Sequence, residues 1–341
     1  MSAGLRSVLA PLTPLYRLAL ILRERRLATG HEPIRRVQYP VISIGNLSTG
    51  GTGKTPLTIT LAQALTARGL AVDVLSRGYG RPSRLAAKVD PHGSAELYGD
   101  EPLLIAHAAN VPVYVSADRY DAGLLAESEL AAAQVHSPQV AQVVHLLDDG
   151  FQHRQLHRDL DILLLNRADL HDRLLPAGNL RETLRATERA HILAIPADDP
   201  TLDSDLRARG LTQPIWRLHR RMEIPAVANP VLAFCGIARP AQFFAGLRHS
   251  AIDLAARKAF PDHHSYTVHD LDRLAKMAHA TGATSFLTTE KDAVRLRGLP
   301  PPLPLATVSL RTEIEAAPAA LDLLLERLNA THANHQLRQR R

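Results

Sequence analysis

Residues 40–69 read "PVISIGNLSTGGTGKTPLTITLAQALTARG", an apolar strand-like run, a glycine-rich turn and a segment with helical apolar spacing. A turn of this kind aims backbone N–H groups into a concavity at a helix N-terminus, where the helix dipole favours an anion. Lysine followed by threonine completes a phosphate loop: Lys54 reaches the outer phosphates and Thr55 is available to Mg²⁺. Ser48, Thr49, Gly50, Gly51, Thr52 and Gly53 form the rest of the cradle. Ser48 departs from the strict pattern, which places glycine there, but the flanking strand and helix supply the context that the motif requires. The expected ligand is the phosphate tail of a nucleoside triphosphate.

From residue 40 onward the alternation continues. "AVDVLS", "VPVYVSA", "VVHLLDD", "LDILLLN" and "HILAIPA" read as buried strands. Helical patterns lie between them, "EPLLIAHAA", "YDAGLLAESELAAA" and "NLRETLRATERA" among them. This is the pattern of an α/β fold with a doubly wound, mostly parallel sheet, in which ligands sit at the carboxyl ends of strands. The expected division is an N-terminal helix over 1–30, a phosphate-loop domain over 31–214 and a linker strand over 215–229. A smaller α/β block over 230–330 follows, with a returning strand near 303–315 that pairs with the linker, and a frayed basic tail over 331–341.

Composition narrows the partners. A chain of 341 residues with 45% hydrophobic residues has enough apolar content for two cores. The net charge of +6 favours an anionic partner. Aromatics at 4%, none interleaved with a basic segment, argue against a base-stacking surface and hence against nucleic acid. Cys235 is the sole cysteine, which excludes an intrachain disulfide and points to a reducing cytosol.

Near the N-terminus Leu5, Val8, Leu9, Leu12, Leu15, Leu18 and Leu22 follow helical spacing, with Leu20 and Ile21 widening the face. Thr13 followed by Pro14 reads as an N-cap and first helical residue. Arg17 interrupts the apolar run, so neither a spanning helix nor a cleaved signal peptide fits. Two readings stand: a helix packed on the core, or one lying in a membrane interface with arginines toward anionic headgroups.

Several constellations carry chemistry. In "VVHLLDDGFQH", residues 143–153, Asp148 and Asp149 end a strand where a carboxylate can help to hold Mg²⁺. His153 and His157 stand four apart without the glutamate of a zinc-protease helix, so no transition-metal site is expected. In "YGDEP", Asp100 opens a helix and is either a structural cap or a general base near the γ-phosphate. "FPDHHSY" offers His263 and His264 as partners for such a base. "LLPAGNLRET" brings Arg181, suited to clamping phosphate oxygens, and Glu182, a further candidate metal-supporting carboxylate beside Thr55, Asp148 and Asp149. "SRGYGR" adds Arg77 and Arg81. "TTEKD" fails the guanine-reading N-K-x-D pattern because Lys291 and Asp292 are adjacent, which leaves ATP as the expected nucleotide.

"GNLSTGGTGKTP", "SRGYGR", "GDEP", "DDGFQH", "LPAGNLRE", "FPDHH" and "TTEKDAVRL", in this order, resemble the tetraacyldisaccharide 4'-kinase family, the lipid A 4'-kinases of Gram-negative bacteria. The family's loop itself resembles "GNLSTGGTGKT", so Ser48 does not count against it. The resemblance implies two α/β/α domains joined by a two-stranded linker. It implies ATP-dependent phosphorylation of the 4'-hydroxyl of a lipid-linked disaccharide 1-phosphate, yielding lipid IVA. It implies peripheral attachment to the anionic cytoplasmic face of the inner membrane, with no obligate protein partner. Among the residues, it implies Lys54 and Thr55 for the phosphates and Mg²⁺, and Asp148 and Asp149 for metal and nucleotide. Asp100 would be the base paired with His263, and Arg181 would neutralise phosphate charge. Other classes remain: a regulatory or metallochaperone-type NTPase without a carbohydrate acceptor, and a non-catalytic membrane-peripheral binding protein.

Overall fold

The structure, a computed structural model, describes residues 8–134, 142–250 and 252–339; Leu5 of the N-terminal pattern lies outside them. Strand β1 is Val41–Asn46, and all six residues are buried, as expected of a strand covered on both faces. In chain order follow β2 (Ala71–Ser76), β3 (Ala87–Lys88), β4 (Val113–Val115), β5 (Val143–Asp148), β6 (Leu160–Leu164), β7 (Ile192–Pro196) and β8 (Ile215–Glu223). Strands β9 (Val231–Cys235), β10 (Leu254–Ala259), β11 (Ser285–Thr289) and β12 (Leu305–Ile314) complete the sheet.

Its order is β10-β9-β11-β12-β8-β7-β6-β1-β5-β2-β4-β3. Neighbours are parallel except for the short edge pair β3–β4 and the pair β8–β12, which runs antiparallel from Ser309↔Glu223 to Ile314↔Leu218. That antiparallel pair joins a larger parallel sheet, centred on β1, to a smaller one of β9, β10, β11 and β12. The larger sheet packs Ile42, Ile44, Leu57, Leu61, Leu103 and Ile105 beneath its helices, while Phe234, Phe260 and Phe286 centre the smaller core.

Gly45, the penultimate residue of β1, has a local cause. A Cβ there would meet the Cβ of Phe151 at 2.5 Å, so the loop after β5 can lie against β1 only over a glycine.

Three local expectations give way. The segment "NLRETLRATERA" forms only a 3₁₀ turn, Leu184–Arg189, because Thr183 stays extended and its side chain makes no capping bond. Of the residues expected to fray over 331–341, 331–339 continue the helix Ala317–Gln339, whose earlier turns bury Leu321, Leu324 and Leu328, and 340–341 lie outside the described residues. Thr13 is the first residue of the helix Thr13–Ala28 rather than its cap, because a 3₁₀ turn, Ala10–Leu12, already leads into it.

One buried charge network braces the larger sheet. His145 on β5 places Nδ1 2.8 Å from Asp73 Oδ1 on β2 and Nε2 3.5 Å from Glu127 Oε1 on the covering helix Arg119–Gln134. Burial alone would lower its pKa, but the two carboxylates outweigh it and lift the imidazole to about 9. A raised pKa means that this stabilisation is complete below the ordinary imidazole value and is lost as pH climbs through about 9. His145→Ala should cost about 3–5 kcal/mol by stranding buried carboxylates. Urea titrations at pH 7 and pH 10 should show the wild-type advantage over the variant shrinking at the higher pH.

Candidate active site

The phosphate loop leaves β1 at Asn46 and enters the helix Lys54–Ala67 through Gly53, whose φ of 90° and helix-capping position only glycine accommodates comfortably. Lys54 Nζ donates to Asn46 Oδ1 at 3.0 Å and lies 3.6 Å from Asp149 Oδ1. The loop's outer arm is pinned elsewhere: Thr49 N donates to Asn179 O at 2.8 Å. Ser48, Thr52 and Thr55 are buried, while Gly50 and Gly51 face solvent.

Asp148 and Asp149 part company at the end of β5. Asp148 is buried and accepts from Thr58 Oγ1 at 3.1 Å. Burial, with the nearby charges of Glu101 and Asp149, pushes its pKa up to about 7 against the pull of Lys54. Asp149 turns outward with φ 49° and takes a bidentate bond from Arg181, at 3.0 Å from Nη1 and 2.8 Å from Nη2. Lys54 and Arg181 together hold its pKa down despite burial. Arg181 also donates to the Asn46 side chain. Asn46, Lys54, Asp149 and Arg181 thus form one charge-assisted cluster at the loop's mouth.

Glu182 is oriented differently. It is buried and ion-paired to Arg189 at 2.7 Å, which stacks at 4.8 Å over the ring of Phe151. Arg81 is likewise engaged, donating to the carbonyl of Leu85 in its own loop and to those of Leu97 and of Val115 on β4.

Among the described residues no group of three or more His, Cys, Asp or Glu side chains is arranged to hold a metal. Mg²⁺ in a phosphate-loop site asks for less: a hydroxyl or one to two carboxylates, with phosphates and water completing the shell. Asp148 fits that demand, since a buried carboxylate without a cation in contact is one that a divalent ion would hold ionised.

Across the cleft, Asp100 opens the helix Asp100–Ala109 and is 5% exposed. His263 Nδ1 approaches its Oδ2 at 3.2 Å, and Arg295 Nε donates to the same oxygen at 3.0 Å. Burial would raise the Asp100 pKa, yet the His263 hydrogen bond and the charges of Arg295 and Lys291 hold it well below the usual carboxylate range. The same hydrogen bond raises the pKa of His263. His264 points away and pairs with Asp270 at 3.0 Å, so of the two histidines His263 is the one that meets Asp100. His263 holds φ 58°, and its N–H donates to Gly236 O at 3.2 Å. Beside this pair Lys291 Nζ meets Glu101 Oε1 at 2.5 Å.

Asn46, Arg295 and Lys291 were not singled out as site residues from the sequence. Asn46 and the two cations lie inside motifs already noted, "GNLS" and "TTEKDAVRL", and that is the only signal that could have found them. Arg119 is a further addition. It is buried near Asp149 and Asp148, and burial and Arg77 lower its pKa to about 10.

A buried carboxylate–imidazole pair opposite a phosphate loop is suited to a site where a phosphoryl group is handed to a hydroxyl acceptor. Fold and site therefore define the class as a phosphate-loop phosphotransferase. Known proteins narrow that class to one family. Residues 5–329 match the family model of tetraacyldisaccharide-1-P 4'-kinase, and the chain belongs to that family. It is 40% identical over 328 residues to the tetraacyldisaccharide 4'-kinase of Koribacter versatilis, covering 93% of this chain and 97% of that protein. The corresponding kinase of Geobacter metallireducens is 39% identical over 316 residues, covering 85% and 88%. Among solved structures, the LpxK of Aquifex aeolicus, an "apo" form in complex with ATP, superposes with a TM-score of 0.73 at 33% identity, covering 95% of this chain and 99% of that one.

The Asp100–Arg295 pair yields a stability test. Arg295→Gln should destabilise the chain by about 3–5 kcal/mol, because it leaves a buried carboxylate uncompensated. Adding Asp100→Asn should recover much of that loss, and chemical denaturation of both single variants and the double would reveal the coupling. Strictly additive losses would mean that the two side chains do not share a charge interaction.

Proposed function

We propose that the chain transfers the γ-phosphoryl group of ATP to the 4'-hydroxyl of a tetraacylated disaccharide 1-phosphate while attached to an anionic membrane surface. Family membership supports the reaction. The observation that carries the reading is the Asp100–His263 pair at 3.2 Å, contributed by opposite sides of the cleft and set beside the phosphate loop. A regulatory NTPase has no need for an acceptor-side proton acceptor.

In this reading the backbone N–H groups of residues 50–55 cradle the phosphates and Lys54 neutralises the outer ones. Mg²⁺ would be held by Thr55 and Asp148, with Asp149 in support, and supplies charge neutralisation of the phosphate oxygens when bound. Glu182, neutralised by Arg189, holds the loop beneath the N-terminal helix. The 4'-hydroxyl oxygen attacks the γ-phosphorus, the bond from that phosphorus to the β–γ bridging oxygen breaks, and ADP leaves. The hydroxyl proton passes to the Asp100 carboxylate, whose Oδ2 is held by His263 Nδ1 and Arg295, so that carboxylate and imidazole act as a unit. Asp100, low in pKa and fixed by Arg295, aligns the imidazole and the hydroxyl. Arg181 stays bound to Asp149 until an anion competes for it, which places a mobile cation beside the transferring group.

Attachment is supported by the N-terminal helix. Val8, Leu12, Leu15, Leu18, Ile21 and Leu22 are exposed, with Val8 at 74% and Leu15 at 64%. The opposite face is tied to the site: Tyr16 OH donates to Arg181 O at 2.9 Å, Arg23 donates to Gln152 O, and Glu24 pairs with Arg154 at 2.5 Å. No helix among the described residues is long and apolar enough to cross a membrane. An apolar stripe flanked by arginines and anchored to the active-site loops suits a helix lying in the interface.

Lys54→Ala should abolish most transfer of labelled phosphate from ATP to the lipid disaccharide 1-phosphate without altering the melting temperature. Asp100→Ala should lower kcat by about 10²–10⁴-fold. His263→Ala added to Asp100→Ala should cost little more, because groups that act as a unit are non-additive. Multiplicative losses would separate the two residues.

A second expectation concerns the surface. Replacing Leu15, Leu18 and Leu22 together by glutamine should release the protein from anionic liposomes in flotation while leaving turnover of detergent-dispersed substrate within a few-fold. Salt should weaken attachment of the parent protein without abolishing it.

A further inference from the structure

The phosphate loop has two flanks. Sheet order sets β5 on one side of β1 and β6 on the other, with β7 beyond it. Asp148, Asp149 and, farther out, the Asp100–His263 pair lie on the β5 side. On the other flank a cavity of about 450 Å³ opens at the carboxyl ends of β6 and β7, bounded by Thr52, Asn166, Pro196, Asp198, Arg220 and Arg239. On the proposed reading the γ-phosphate faces Asp100, and a nucleotide laid across the loop in that direction runs its α-phosphate toward this cavity.

Two arginines enter the cavity from the linker and from the smaller sheet. Arg220 stands on β8, and its guanidinium donates to the carbonyl of Thr52. A Cβ built on Gly53 would lie 3.0 Å from its Cζ, so the guanidinium rests directly on the loop. Arg239 follows β9, and its Nη2 is 3.5 Å from where a Cβ on Gly50 would be. Neither arginine takes part in an ion pair among the described residues, although the cavity holds Asp198 and Asp199. Asp199 is taken by Arg167, bidentate at 2.9 and 2.6 Å. Burial and the charge of Arg239 lower the Arg220 pKa, with Asp198 offsetting part of the effect. Two cations crowd a phosphate loop without a contacting carboxylate.

We propose that Arg220 and Arg239 bind the α- and β-phosphate oxygens of the nucleotide from the β6–β7 flank. The inference rests on the phosphoryl-transfer reading only for the direction in which the nucleotide lies. It also gives nucleotide binding a route to the acceptor side. Arg239 is three residues beyond Gly236, whose carbonyl accepts from His263 N at 3.2 Å and from Arg295 Nη1 at 2.6 Å. Drawing Arg239 onto a phosphate therefore acts on the turn that holds both partners of Asp100.

The test is calorimetric titration of ADP into the full chain in the absence of acceptor, for the parent protein and for Arg220→Gln, Arg239→Gln and the two lysine variants. Each glutamine variant should bind ADP about tenfold more weakly or worse, as expected for a lost charge-assisted phosphate contact. Melting temperatures without nucleotide should stay unchanged for Arg239→Gln, and Arg239→Lys should recover part of the affinity. In turnover assays KM for ATP should rise while KM for the acceptor stays fixed. Unchanged ADP affinity in both glutamine variants would overturn the proposal. So would a loss that is equal in the lysine variants and matched by a fall in the nucleotide-free melting temperature, since the arginines would then be structural. A protein that binds ADP with this dependence yet phosphorylates no disaccharide would overturn the proposed function and leave the arginine contacts standing.

Discussion

Asp100 is a carboxylate with almost no access to water, and the groups that keep it charged lie more than 160 residues farther along the chain. Arg295 and His263 both reach the same oxygen, Arg295 from the helix Glu290–Arg295 and His263 from the loop after β10. A buried carboxylate is tolerated only with a well-placed cation and filled hydrogen bonds, and removing either partner is far costlier than never having built the pair. Lys291 and Glu101 repeat the cross-connection, one residue along from Asp100 on its helix and four residues before Arg295 on the other. The cleft between the two sheets is therefore bridged by buried charge pairs, beside the apolar contact that Val294 makes with the larger core. That leaves its walls polar and its carboxylate ionised.

What the sequence disclosed was local in character. The β1–loop–helix unit is legible because strand periodicity, glycine and Lys54–Thr55 lie within thirty residues, and each constrains the same short backbone. Asp148 at a strand end was legible for the same reason. Arg295 was not, because its partner is 195 positions away and nothing in a helical "AVRL" distinguishes a clamp from a solvated surface arginine. Asn46 looked like a turn residue, and only the folded loop brings Lys54 and Arg181 onto its side-chain oxygen. The choice between His263 and His264 depended on a backbone with φ 58° that aims one ring at Asp100 and the other at Asp270. The C-terminal tail misled because its polar composition hides a helix that Leu321, Leu324 and Leu328 nucleate from upstream.

The N-terminal helix shows how one element can serve two surroundings. Its leucines Leu12, Leu15, Leu18 and Leu22 are exposed among the described residues, while Tyr16, Arg23 and Glu24 grip the loops that carry Arg181, Gln152 and Arg154. Aliphatic side chains in water cost free energy in proportion to their area. On the proposed reading a bilayer removes that cost and the site arrives already oriented, with Arg181 beneath the helix and the cleft at a fixed height above the lipid.

The antiparallel pair β8–β12 has a mechanical consequence. A two-stranded ribbon with continuous pairing from Ser309↔Glu223 to Ile314↔Leu218 cannot slide, since a shift of one residue would turn every side chain to the wrong face. It can still coil, because two-stranded ribbons tolerate a wider range of twist than broad sheets do. The connection thus behaves as a torsion bar: stiff along its length and in shear, compliant about its axis. His263 and Arg295 both bond to the Gly236 carbonyl, so any change in the angle of that bar would carry the imidazole and its neighbouring cation as one body.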